Sequence, residues 1–335
     1  MGDPSSRLCV ENAENSARNA AALDATNRDA VDLLEEILGS GGEGGGSGEG
    51  AHERKPKEFV AELFDSFAST FDEKLASLEY RVPALVGAAS EALMRNPPNS
   101  GDPPSFSSTS PPSFRSALDA GCGTGLAGRY LRPLVSGPMV GVDASRKMLD
   151  IAAECTVLEG CGLSGGKNEG DVGPSGEGKE PLYDGLFAMD LEEMSLENTL
   201  RVPGLTRGGA ASAAAEGFDL VVAADVLVYF GRLEPILAAF ASVSSPGAGL
   251  IFSCERASDD EAPLGWRLKG SGRFAHTRSH AVGAAAGAGY DLISYEEIVP
   301  RMERGEEVRG HLFSFLLVGE GGSGSGGNNN LKEEL

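Results

Sequence analysis

The chain has 335 residues, 50 of them acidic and 28 basic, for a formal net charge of −22. A field of that sign repels phosphate backbones, and no Lys/Arg cluster offsets it, so nucleic acid is excluded as a partner. No apolar run approaches the ~20 residues of a membrane-spanning helix, so no membrane partner is expected. The five cysteines form no C-x-x-C pair. They predict free thiols, no metal site and, with the polar stretch Met1–Glu14, a cytoplasmic location.

Residues 1–55 read as a flexible leader with one marginal helix. In it Ala30, Leu33, Leu34, Ile37 and Leu38 keep helical spacing, and Gly39–Gly50 is a Gly/Glu/Ser linker. Residues 56–95 predict a helical lid. Phe59, Phe64, Phe67 and Phe71 lie on its apolar stripe, Pro83 interrupts it, and a second helix runs to about Leu93. Residues 96–116 are a Pro/Ser linker, 117–319 the main α/β domain, and 320–335 a disordered tail.

The α/β domain opens with a short apolar strand, an acid and alternate glycines, Ala117-Leu118-Asp119-Ala120-Gly121-Cys122-Gly123-Thr124-Gly125. A helix is expected next, so the main-chain N–H groups of the loop and of the helix start would face a ligand. Met139–Asp143, Gly185–Asp190 and Phe218–Asp225 are further strands that end in acids, and Gly249–Glu255 is a fifth. Ser145 caps the helix after Asp143. Asp291–Val299 and His311–Val318 form a closing hairpin around Gly305. Gly160–Lys179 and Arg201–Gly217 are insertions.

Strand–helix alternation predicts a three-layer α/β/α fold. Its core is a Rossmann-like, doubly wound, seven-stranded sheet with a C-terminal antiparallel hairpin. Ligands of such sheets bind beyond the strands' carboxyl ends, where Asp119, Asp143, Asp190 and Asp225 all fall. Gly123–Gly128 also fits G-x-G-x-x-G, and Asp143 falls where that fingerprint places a ribose acid, so a nicotinamide dinucleotide is one reading.

The full D-x-G-x-G-x-G string from Asp119 to Gly125 resembles motif I of class I S-adenosylmethionine-dependent methyltransferases. Over residues 58–318 the chain is similar to the tetratricopeptide-associated members of that group. Three segments carry this: Phe64–Leu75 with Leu78 and Tyr80–Pro83, Ala224–Phe230, and Ser271–Arg278. Unlike them, it has no full repeat array.

The resemblance implies S-adenosylmethionine as cofactor. The N–H groups of Gly121, Gly123 and Gly125 would cradle its methionine part, with Asp119 and Asp225 near. Asp143 would accept both ribose hydroxyls. Ala144 and Met148 would pack on the adenine, Asp190 and Leu191 would hydrogen-bond it, and Phe71 would close the lid. Tyr229 and His276 are the catalytic candidates, with His280 a further possible base. The acceptor is expected to be a small molecule, with a protein side chain open. A binding or assembly protein that keeps the fold without transfer is the alternative.

Overall fold

The computed structural model describes residues 53–95, 113–157, 180–199 and 217–318. The half-repeat helix, both glycine-rich insertions and the C-terminal tail expected from the sequence lie outside these residues.

The sheet is built on β1 (Ala117–Ala120), β2 (Met139–Asp143), β3 (Gly185–Ala188), β4 (Phe218–Ala223) and β5 (Ser244–Arg256). Two hairpin strands, β8 (Tyr290–Ile298) and β11 (Gly310–Leu317), complete it in the order β3-β2-β1-β4-β5-β11-β8. The five strands β1–β5 pair in parallel, and β11 runs antiparallel to both β5 and β8. These are the seven strands that the sequence predicts. Two more were not expected: β6 (Trp266–Leu268) pairs with β7 (Phe274–His276), which extends the sheet from the end of β5 to nine strands. Both are three residues long, too short for a readable alternation. A two-stranded unit, β9 (Met302–Glu303) with β10 (Glu306–Glu307), turns at Arg304 and Gly305 between the hairpin strands.

The apolar strands are covered on both faces, as parallel strands must be. On one side Val221, Phe252 and Phe313 pack with Ile236, Leu237 and Phe240 of the helix Glu234–Val243 and with Ala281 and Ala285 of the helix Arg278–Gly287. On the other, Leu220, Val222 and Ile251 pack with Val82 and Val86 of the helix Val82–Arg95 and with Leu149 of the helix Arg146–Ala153. Ser145 Oγ accepts from Met148 N at 3.1 Å, the expected cap.

The helix after the glycine loop is a single turn, Gly128–Leu131, because Arg132–Leu134 tightens around Pro133. The first lid helix is also divided, into Lys57–Phe67 and Phe71–Ser77 with a tight turn between. Pro83 does not break a helix; it is the second residue of the next one, where its missing N–H costs nothing.

The lid begins earlier than predicted. Gly231 N donates to Glu53 O at 2.7 Å and Lys55 N to Tyr229 O at 2.9 Å, so residues 53–55 strap onto the loop after β4. Residues 113–116 likewise belong to the fold: Arg115 donates three times to the Asp219 carboxylate, through its main-chain N–H and twice through its guanidinium. Cys122 and Cys254 are free, whereas Cys155 is disulfide-bonded, so the expectation of free thiols throughout does not hold. Among the described residues no helix is long and apolar enough to cross a membrane, and no group of His, Cys, Asp and Glu is placed to hold a metal ion.

Candidate functional site

A cleft of about 200 Å³ opens at the carboxyl ends of β1, β2 and β4, roofed by the two short lid helices. Neither lid helix buries a residue, yet both turn their apolar side chains to the cleft. Phe64 meets Phe67, Phe71 and Tyr229 with ring centroids 5.3, 5.9 and 5.4 Å away, so the roof is an aromatic cluster resting on the loop after β4.

Acids on the lid fasten it to the floor. Asp65 Oδ1 accepts from Lys147 N at 3.1 Å and from the Ser145 hydroxyl, and Asp72 Oδ1 accepts from the Thr124 hydroxyl. Arg54 donates to Asp190 Oδ2 at 2.8 Å and to Glu192, and its guanidinium lies 4.9 Å from the Phe230 ring centroid.

The floor is the glycine loop. Gly121 has φ +78°, and a Cβ there would fall 2.3 Å from Val226 Cγ2, so only glycine fits. Gly123 has φ +53° and faces the lid: its nearest neighbour would be Phe71 Cε1 at 3.7 Å. The loop's N–H groups are not free, contrary to expectation. Gly121 N and Cys122 N donate to Val142 O, Gly123 N to Asp143 Oδ2 at 2.8 Å, and Gly125 N to Cys122 O. These amides therefore hold the loop's own shape, and Gly121 and Gly123 present bare backbone to the cleft.

The strand-end acids divide. Asp143, Asp190 and Asp225 line the cleft, as do Ala144, Leu191, Phe71 and Tyr229. Asp143 Oδ2 takes the Gly123 amide and Oδ1 the Ser145 amide at 2.8 Å. Burial raises its pKa to about 6, against the pull of those amides. Asp190 already accepts from Arg54 and from Glu192 N.

Asp119, Gly125 and Met148 do not reach the cleft wall. Met148 is fully buried. Asp119 is also fully buried; Oδ2 accepts from the Tyr183 hydroxyl at 2.6 Å and Oδ1 has no partner. Burial lifts it to about 7, with the Tyr183 bond opposing and Asp143 adding.

His276 is not at the site. It is fully buried, with Nε2 2.8 Å from Phe230 O, and burial lowers its pKa to about 3. Its β7 strand lies against β5, so the ring points into protein rather than into the cleft. His280, stacked on it at 5.9 Å, shares that position. Tyr229 does reach the cleft, and burial raises its pKa above the ordinary value against the pull of Arg273, so its hydroxyl stays protonated at neutral pH.

A charge network closes one end. Arg301, fully buried, donates to Asp225 Oδ2 at 2.9 Å, to Glu303 Oε1 at 2.7 Å and to Glu255. Arg273 donates to Glu303 Oε1 at 2.6 Å, and Lys269 pairs with Glu255 at 2.8 Å. Burial raises the pKa of Glu303, but Arg273 and Arg301 outweigh it and hold the group at about 2. Asp225 keeps a pKa above the usual carboxylate range, because burial outweighs Arg301 and Arg273. Of the partners of Arg301 only Glu303 is near in sequence; Asp225 lies 76 positions away and Glu255 46, so the sequence does not signal its burial.

Residues 86–288, more than half of the chain, match the family described as a methyltransferase domain. No curated protein matches in sequence. Among solved structures, the chain is similar to magnesium protoporphyrin IX methyltransferase from Synechocystis PCC 6803. The two share 15% identity over 78% of this chain and 99% of that one, with a TM-score of 0.45. It is also similar to 1,6-didemethyltoxoflavin-N1-methyltransferase from Burkholderia thailandensis, at 13% identity over 79% and 91% and a TM-score of 0.48. The family assignment rests on the family match alone: the chain belongs to the methyltransferase-domain family and is a methyltransferase that uses S-adenosylmethionine.

Proposed function

We propose that this cleft holds S-adenosylmethionine across the glycine loop and transfers its methyl group to a small molecule admitted beneath the lid. The observation that carries the reading is the pairing of Gly123 with Asp143. The carboxylate fixes the loop amide, and each of its oxygens keeps a further lone pair for a ribose hydroxyl. The residues suit the group in two other respects. A side chain at Gly123 would fill the space below Phe71, and the buried, unpartnered Asp119 Oδ1 is an acceptor behind the loop.

In this reading Gly121 and Gly123 form the bed for the methionine part, with Gly125 turning the loop beneath them and Asp119 behind it. Ala144 and Leu191 flank the adenine, Asp190 accepts from its amino group, and Phe71 covers it. Met148 supports Ala144 from beneath. Bound S-adenosylmethionine supplies a methyl group already activated on a sulfonium. The protein's part is to align, exclude water and handle the acceptor's proton.

A small acceptor fits the roofed cleft, and the charge of −22 disfavours a polyanion. The three segments that resemble the tetratricopeptide-associated group all contribute to the cleft wall, through Phe64 and Tyr80, Asp225 and Tyr229, and Ser271 and Arg273. That supports the narrower likeness.

Calorimetric titration tests the reading. S-adenosylhomocysteine is expected to bind with an affinity on the order of micromolar, and NADH and NADPH not at all. Tighter binding of either nicotinamide cofactor sinks it. Labelled methyl transfer to a small-metabolite pool and to a protein pool then separates the two acceptor classes.

A further inference from the structure

Among the described residues, two polar atoms of the cleft have no hydrogen-bond partner: Asp225 Oδ1 and Ser271 Oγ. Both atoms are closed to solvent, and both residues line the cleft. A buried acceptor left unmatched is costly, so each position is suited to a ligand that supplies the missing bond.

Asp225 is held in place with unusual firmness. It has φ +59°, a left-handed conformation that a non-glycine residue adopts only where its surroundings impose it. Its N–H donates to Ser253 Oγ at 2.8 Å, and Arg301 fixes Oδ2. Oδ1 is thus the one carboxylate oxygen left for a ligand. The neighbouring wall is aromatic, with Phe64 edge-on to Tyr229 and Tyr80 beside them.

We propose that this end of the cleft is the acceptor subsite, that it takes a small, flat aromatic hydroxyl compound, and that Asp225 Oδ1 removes the hydroxyl proton. The proposal rests on the glycine loop being the methyl donor's site. The acceptor's O–H donates to Asp225 Oδ1, and its oxygen accepts from the Ser271 hydroxyl. Arg273 and Arg301 favour a hydroxyl, which gains negative charge as it reacts, over a neutral amine, whose nitrogen gains positive charge as it is methylated. The aromatic walls suit a planar ring.

In the transfer the O–H bond breaks and its proton passes to the Asp225 carboxylate. The oxygen's electron pair forms a bond to the methyl carbon as the S–C bond breaks. The products are a methyl ether, a protonated Asp225 and S-adenosylhomocysteine, and the charges of sulfonium and carboxylate cancel.

The test uses 2-naphthol and 2-naphthylamine, which share one body and differ in the reacting group. Each is titrated by fluorescence into the full chain saturated with S-adenosylhomocysteine, whose own binding is measured by calorimetry. 2-Naphthol is expected to bind roughly tenfold tighter than the amine and, with S-adenosylmethionine, to yield 2-methoxynaphthalene. With S-adenosylmethionine at saturation, Asp225→Asn is expected to lower ether formation roughly 100-fold or more. Ser271→Ala is expected to weaken 2-naphthol binding by about tenfold.

Failure of 2-naphthol to bind the S-adenosylhomocysteine complex overturns the proposal, as does preference for the amine or full activity in Asp225→Asn. If Asp225→Asn loses its fold, Ser271→Ala decides: unchanged 2-naphthol affinity removes the subsite. Absence of S-adenosylhomocysteine binding in the unaltered protein defeats the donor-site reading instead, and so is told apart.

Discussion

The hydroxyl of Tyr183 donates to Asp119 Oδ2 at 2.6 Å, inside a core that solvent does not reach. It is the one hydrogen bond that this carboxylate has among the described residues, and it ties the segment just ahead of β3 to the strand beneath the glycine loop.

That pair predicts a pH dependence. Burial raises Asp119 to about 7, while an unfolded aspartate titrates near ~3.9. Between those values the folded state holds a proton that the unfolded state has lost, so this group's contribution to stability falls as pH rises from about 4 to 7. Urea unfolding is expected to show Asp119→Asn gaining stability relative to the unaltered protein over that interval. Tyr183→Phe is expected to lose about 1–3 kcal/mol, and more at pH 7.5 than at pH 5. Parallel pH curves for all three proteins refute the assignment.

Gly121 and Gly123 separate a folding role from a binding role. Gly121→Ala adds both positive-φ strain and a 2.3 Å clash with Val226, and a loss above about 2 kcal/mol is expected. Gly123→Ala meets nothing closer than 3.7 Å, so its stability cost stays near the ~1–2 kcal/mol of φ strain. Its Cβ still enters the space below Phe71, and S-adenosylhomocysteine binding is expected to fall by about tenfold or more. Normal binding by a stably folded Gly123→Ala contradicts the placement of the ligand.

Asp143→Ala removes a carboxylate that is expected to hold the ribose. A loss of roughly 2–3 kcal/mol in S-adenosylhomocysteine affinity follows, since hydrogen bonds to a charged group are worth about 1.5–3 kcal/mol each. Stability falls as well, because Gly123 N and Ser145 N lose their acceptor. Calorimetry and thermal unfolding read the two effects separately, and unchanged affinity removes Asp143 from the site.

Truncation tests the lid and its strap. A chain starting at residue 52 keeps Glu53–Lys55 on the loop after β4 and is expected to bind S-adenosylhomocysteine as the full chain does. One starting at residue 56 loses the Arg54 bonds to Asp190 and Glu192 and binds more weakly. One starting at residue 82 loses the roof and with it most binding. Equal affinity in all three shows that the roof plays no part.

The buried histidines act in the opposite sense to Asp119. Burial lowers His276 to about 3 and His311 to about 4. Below about 6.5 these side chains bind protons in the unfolded chain that the folded chain refuses, so their contribution to stability drops as pH falls from there toward 3. His276→Gln is expected to flatten that decline in urea titrations between pH 6.5 and 4. An unchanged slope shows that the ring is not held neutral.

The sequence by itself determined whatever depends on neighbours along the chain. The apolar run Phe218–Ala223, the cap at Ser145 and the acids at strand ends report local preference and burial pattern, and the structure places them accordingly. Gly121 was legible for the same reason, since a positive φ is a local demand.

What only the tertiary structure decided involves partners distant in sequence. Whether the loop amides were free depended on Val142 and Asp143 of the next strand. Whether His276 faced a cleft or the core depended on β7 joining β5, through strands too short to show a period. Arg301 has one partner close in sequence, Glu303, but Glu255 lies 46 residues away and Asp225 76, and nothing local marked that network. An arginine reads as a surface charge until folding brings carboxylates around it, because the energy that allows its burial belongs to the assembled network and not to any stretch of chain.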